Sequence, residues 1–219
     1  METSEGKEAP MEDWSNIGAG EPAGSPRGVF PELCSPYPVQ LTVWCRSLLF
    51  NGHGYTVFDD SDGRMVFRVD NYAHNWRQEA VLMDRAGNVL LTIRRCRKIL
   101  NLMESWEAYK GDKDGLGMVG HQRPLFKATK ELGAPSCTVS MVRTRGMEPL
   151  GYRMCWSRQN EWSKIYEAAA NAPLVAEVRR KYGASTKTLL DKDVLTLRVQ
   201  PWMDQAIAMA MVMILNSMR

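Results

Sequence analysis

Two hydrophobic periods divide this chain. From Pro38 onward, short runs alternate apolar and polar residues, as in Gln40-Leu-Thr-Val-Trp-Cys45, and alternation is the period of a strand with one buried face. Segments of this kind recur with turn residues between most of them. They are Gln40–Cys45, Tyr55–Asp59, Met65–Val69, Val81–Asp84, Val89–Ile93, Leu102–Tyr109, Pro124–Ala128, Cys137–Arg143, Gly151–Trp156, Lys164–Tyr166, Leu174–Val178 and Val194–Val199. Asp60-Ser-Asp-Gly63 and Arg85-Ala-Gly-Asn88 each place Gly with Asp or Asn between two such runs, which predicts hairpins. Lys164–Ala170 is also compatible with a short helical turn. A weak repeat links the two hairpins with a poorer third copy around Lys164–Arg180. A plain β-meander repeats its hairpins in the same way.

The pattern then changes. Every residue from Ala206 to Leu215 is apolar, whatever its angle around a helix axis. A helix without a polar face must be buried on all sides. The run falls short of the roughly 17–25 residues that cross a bilayer, so a protein core is its expected surrounding, not a membrane. Pro201 suits a first helical position, and Asp204 would then lie in the first turn, where the helix dipole favours negative charge. Together the two periods predict a mainly β fold. It is a closed antiparallel barrel of about twelve strands enclosing the hydrophobic C-terminal α-helix, because a barrel that wide cannot be filled by its own side chains. Ala206, Ala208 and Ala210 keep the helix thin, and Met209, Met211 and Met213 adapt to an uneven cavity.

Residues 1–28 carry six acids against Lys7 and Arg27 and few large apolar groups, which predicts a disordered acidic, Gly/Pro-rich tail. A single domain is expected over 29–219. Among the 219 residues, 44% are hydrophobic and the net charge is +3, too small an excess to argue for nucleic acid. The five cysteines are dispersed, without C-x-x-C, and the N-terminus shows no leader pattern, so reduced thiols in an intracellular setting are expected. Cys45, Cys96 and Cys155 fall in or beside strands and are expected to be buried as small hydrophobes.

The motifs Tyr55-Thr-Val-Phe-Asp, Val66-Phe-Arg-Val-Asp-Asn-Tyr72, Val81-Leu-Met-Asp with Gly87, Leu90-Leu-Thr-Ile-Arg-Arg95, Ala176-Glu-Val-Arg-Arg-Lys181 and Asp193-Val-Leu-Thr-Leu-Arg-Val-Gln-Pro201 followed by Asp204 resemble the plant LURP-one-related family, in the same order, over roughly Pro36 to Ser217. That resemblance implies a tubby-like fold, a barrel around a central helix, and a link to plant defence. It also implies kinship by fold with tubby domains, which bind phosphatidylinositol 4,5-bisphosphate and have been viewed as membrane-tethered regulators of transcription, and with phospholipid scramblases. The long or unusual loops at Glu104–Gly120 and Gln159–Ala172 depart from the family pattern.

Candidate chemistry is sparse. Gly115-Leu-Gly-Met-Val-Gly120 spells G-x-G-x-x-G, but no helix pattern follows and the acid that would hold a ribose is missing, so a flexible loop is expected there. His53, His74 and His121 sit in separate loops, and no nucleophile, zinc or P-loop motif is present. No catalytic residue, cofactor or metal is therefore assigned, and a non-enzymatic role is expected. Basic groups offer the ligand hypothesis. Arg94, Arg95, Arg97 and Lys98 follow one strand, and Arg179, Arg180 and Lys181 follow another. Converging cations could hold an anionic phospholipid headgroup such as a phosphoinositide, although charged strand ends are commonly solvated rims. The expected partners are such headgroups or unidentified proteins. The expected state is a monomer in the cytoplasm, peripheral at the plasma membrane, or in the nucleus.

Overall fold

The computed structural model describes residues 28–45, 54–70, 79–96, 104–111, 123–142, 151–157, 162–182 and 193–218. Twelve strands occur in these segments: β1 (Val39–Trp44), β2 (Tyr55–Asp59), β3 (Met65–Asp70), β4 (Glu79–Asp84), β5 (Val89–Cys96), β6 (Ser105–Lys110), β7 (Phe126–Lys130), β8 (Ser136–Met141), β9 (Gly151–Ser157), β10 (Trp162–Glu167), β11 (Leu174–Arg180) and β12 (Val194–Val199). Each pairs antiparallel with its sequence neighbours, and β1 pairs with β12, closing the barrel. Closure satisfies both edges of the sheet. The helix α1 spans Gln205–Met218.

Alternation does the sorting. Leu41, Val57, Phe67, Leu82, Leu91, Ala108, Phe126, Val139, Met154, Ile165, Val178 and Leu197 come one from each strand, and all are buried in a single apolar core. Every residue of α1 from Ala206 to Leu215 is buried against that lining. The all-round apolar segment is thus the plug that the width of the wall demands.

The hairpin turns form at the expected places, and Gly63 (φ 70°) and Gly87 (φ 90°) supply the left-handed backbone they require. The three register shifts among the described strand pairs fall in β2–β3, β4–β5 and β10–β11. These are the three hairpins of the sequence repeat. Each copy of the repeat therefore shares a register shift in its hairpin as well as a sequence pattern. Lys164–Tyr166 belongs to β10, and only the residues after Glu167 turn.

The start of the helix differs from expectation. Pro201 and Trp202 form a turn, with Trp202 at φ 65°, and α1 begins only at Gln205. Asp204 is the N-cap: its Oδ1 accepts from the backbone N–H of Ala206 (3.0 Å) and Ile207 (3.1 Å). The reason is geometric. The chain leaves β12 at the barrel rim, and the five residues 200–204 carry it inward before α1 starts.

Residues 28–38 form a strap across that same rim. The N–H of Phe30 donates to Asp204 Oδ2 at 2.8 Å, and the N–H of Trp202 donates to the carbonyl of Ser35 at 2.7 Å. The buried Phe30 ring closes this end, with Lys110 Nζ 5.0 Å from its centroid. Gly28 packs so closely that a Cβ there would lie 2.6 Å from Asp204 Oδ2 and 2.8 Å from Cys34 Sγ. The expected tail lies, apart from Gly28, outside the described residues.

Candidate functional site

Antiparallel pairing gives the barrel two distinct ends. All odd-numbered strands run one way, so Trp44, Cys96, Lys130, Ser157 and Arg180 finish at the same end. The helix enters at the strapped end and finishes at the other, where the Asn216 amide donates to Cys45 Sγ at 3.8 Å. The described members of both predicted basic clusters are at this helix-exit end.

They do not converge. In the closed order β5 and β11 are six strands apart in either direction, roughly 29 Å along the wall at ~4.8 Å per strand. Both strands also run on past the expected Ile93 and Val178, so Arg94 and Arg95 lie within β5, and Arg179 and Arg180 within β11. Alternation then splits the clusters. Arg94 shares the outer face with Glu79 and forms an ion pair with it. Arg95 points inward, ion-paired with Glu104 and 5.7 Å from the centroid of the buried Trp106 ring. Lys130 reaches the same Glu104 at 3.4 Å. On β11, Arg180 continues the inward row of Ala176 and Val178, whereas Arg179 and Lys181 are on the outer row. Arg97 and Lys98 lie outside the described residues.

The outer wall of β10–β11–β12–β1 carries a continuous polar network that sequence reasoning missed. The register places Lys164, Glu177, Arg198 and Gln40 side by side across four strands, and Asp60 follows next to Gln40. Glu177 Oε1 lies 2.8 Å from Arg179 and 3.9 Å from Lys164. Arg198 donates to Gln40 at 3.0 Å, and Gln40 donates to Asp60 at 2.7 Å. Lys181 spans from β11 to the β2–β3 turn and donates to both Asp60 oxygens (2.8 and 2.7 Å), while Thr42 also donates to Asp60. Burial works to raise the Asp60 pKa, but the hydrogen bonds from Lys181, Thr42 and Gln40 outweigh it and hold the carboxyl below its ordinary value.

What this wall presents to solvent is uneven. The Glu177 side chain is 4% exposed, and Arg179 above it is 48% exposed. Asp60 is not shielded in this way: it is an exposed residue, and Lys181 pairs with it from the side. Around Glu177 the carboxylate lies beneath and Arg179 and Arg198 lie outermost, so this part of the wall is more positive than the residue count suggests.

At the strapped end the electrostatics differ. Burial raises the Asp204 pKa, opposed by backbone donors from Phe30, Ile207, Ala206 and Val29. Among the cysteines only Cys137 is buried, and burial pushes its thiol up to about 12. Cys45, Cys96 and Cys155 are only partly covered: Cys45 follows β1 at the rim, and Cys96 and Cys155 fall on the outward rows of β5 and β9. The glycine-rich motif and all three histidines lie outside the described residues. Among the described residues no three His, Cys, Asp or Glu side chains are grouped to hold a metal ion. Within the same residues, no helix is long and apolar enough to cross a membrane.

Known proteins bear on this architecture. A family model described as LURP-one-related matches residues 39–216. Protein LURP-one-related 8 of Arabidopsis thaliana is 35% identical over 195 residues, covering 86% of this chain and 94% of that protein. Protein LURP-one-related 5 of the same plant is 39% identical over 182 residues, covering 80% and 81%. Among solved structures, the X-ray structure of an Arabidopsis thaliana protein superimposes with a TM-score of 0.59 at 18% identity, over 86% of this chain and 95% of that one, a likeness of fold.

Proposed function

The chain belongs to the LURP-one-related family, and from that premise we propose that it is a non-enzymatic interaction domain for anionic phospholipid headgroups, phosphoinositides included, serving plant defence or regulatory signalling. The observation that carries the reading is the layered charge of the β10–β11–β12–β1 wall. Glu177 is buried beneath Arg179 and beside Lys164, and Arg198 stands exposed next to it. A phosphate meeting this wall encounters guanidinium and ammonium groups first, and each Lys or Arg near an anionic leaflet contributes about 1 kcal/mol. The binding surface is thus one wall, in place of two converging clusters.

Co-sedimentation with vesicles tests it. The full chain should pellet with phosphatidylcholine vesicles containing a phosphoinositide or phosphatidylserine and stay in solution with phosphatidylcholine alone, and binding should weaken as salt rises. Equal behaviour with charged and neutral vesicles at near-physiological salt refutes the proposal. A protein adaptor without lipid binding is the alternative, drawn from the six acids of residues 1–28. In that case deleting 1–27 abolishes partner capture while the barrel remains folded.

A further inference from the structure

The cationic wall is bordered by aromatic side chains, all at the helix-exit end. Trp44 is the last residue of β1, Trp162 the first of β10, and Tyr182 follows β11. Antiparallel topology brings these three positions to one rim. Trp44 is 41% and Tyr182 59% exposed, and Trp162 is half-buried with Lys164 Nζ 5.5 Å from its ring centroid. Phe58 meets Trp44 edge-on at 5.9 Å between centroids. A soluble surface gains nothing from displaying large rings beside Arg179. A membrane interface does, because Trp and Tyr settle at headgroup level while the neighbouring cations engage phosphates.

We infer that this rim of the β1/β10–β12 wall is a lipid-interface anchor. Trp44 and Tyr182 sink among the headgroups, and the barrel lies on this wall, tilted so that the helix-exit rim is its deepest part. The inference rests on the anionic-lipid reading above and adds the orientation and the residues that penetrate. Charge complementarity favours an anionic lipid surface as the occupant, since Arg179 and Arg198 stand exposed on this wall over the buried Glu177. Rings gathered at one rim fit the single interfacial depth that a lipid surface offers. The opposite wall, where Arg94 is paired with Glu79, faces away in this pose.

The test compares aromatic residues at the two ends in the full chain. Trp44→Ser and Tyr182→Ser, singly and combined, are measured with Tyr37→Ser, whose parent residue is 69% exposed but lies on the strap. All are assayed by sedimentation with vesicles of phosphatidylcholine and phosphatidylserine, and folding is checked by circular dichroism. The rim variants should bind roughly tenfold more weakly in combination, and Tyr37→Ser should match the wild type. Brominated phosphatidylcholine in the same vesicles should quench tryptophan fluorescence in the wild type, and less in Trp44→Phe. Sedimentation that persists unchanged in the rim variants, or quenching equal in Trp44→Phe and wild type, overturns the anchor and leaves the lipid reading standing. Failure of the wild type to sediment overturns both.

Discussion

Replacing Asp204 with Ala removes two functions of one carboxylate. Oδ1 caps α1 by accepting from Ala206 and Ile207, and Oδ2 accepts from the buried N–H of Phe30 in the strap. Loss of a cap costs about 0.5–2 kcal/mol, and a buried donor left without its acceptor costs about 1–3 kcal/mol. Part of this is offset because the carboxylate itself is held away from water, as its raised pKa records. The net expectation is a loss of about 2–4 kcal/mol, or roughly 5–15 °C in Tm for a domain of this size. Asp204→Asn keeps one acceptor oxygen and turns the other into a donating NH2, so it serves the cap or the Phe30 N–H but not both, and should lose roughly half as much. The pH dependence separates the two further. A folded pKa above the ordinary 3.8 means the stability linked to this group is full below that value and lost as pH rises through the folded value. Asp204→Asn should flatten that limb. Urea unfolding monitored by far-ultraviolet circular dichroism, repeated from pH 4 to 8, measures all of this. An Asp204→Ala protein within about 0.5 kcal/mol of wild type would refute the double role.

Further predictions concern the plug, the wall and the strap. Ile214 is 1% exposed, so Ile214→Asp forfeits about 2–5 kcal/mol of packing and buries an unpaired charge besides. No cooperative urea transition should remain, and a soluble, folded Ile214→Asp protein would contradict the sheathed helix. Asp60 behaves oppositely to Asp204: its lowered pKa means stability present above 3.8 and lost as pH falls through the folded value. Acid titration of Asp60→Asn should show a shallower loss, by about 1 kcal/mol or less for so exposed a network. Gly28→Val forces a side chain against Asp204 and Cys34. It should speed amide exchange of Phe30 while the α1 centre stays protected, and unchanged Phe30 exchange would show that the strap tolerates the intrusion.

The fold was legible because its two signals are local. Alternation marks each strand by itself, and the uninterrupted apolar run of Ala206–Leu215 demands a sheath, so barrel and plug follow from segments read one at a time. The helix start was misread because Pro201 fits a first helical position equally well in isolation; only the distance from wall to axis assigns it to a turn. The candidate site depends on which strands adjoin. Arg179 and Arg180 are neighbours in sequence yet on opposite faces. Lys164, Glu177, Arg198 and Gln40 are scattered in sequence yet form one row. No sequence period encodes that row, and the shielding of Glu177 beneath Arg179 is a matter of depth, which patterning does not carry.

The central functional claim is that one wall of the barrel meets anionic lipid. Its most direct test is a comparison of Arg179→Gln/Arg198→Gln with Arg94→Gln in binding to phosphoinositide-containing vesicles at fixed salt, once circular dichroism has shown all three folded. Removing two outermost cations from the layered wall should weaken partitioning by about 2 kcal/mol, roughly thirtyfold, while Arg94→Gln, on the wall six strands away, binds as the wild type does. Equal loss in both proteins, or loss in Arg94→Gln alone, would contradict the assignment.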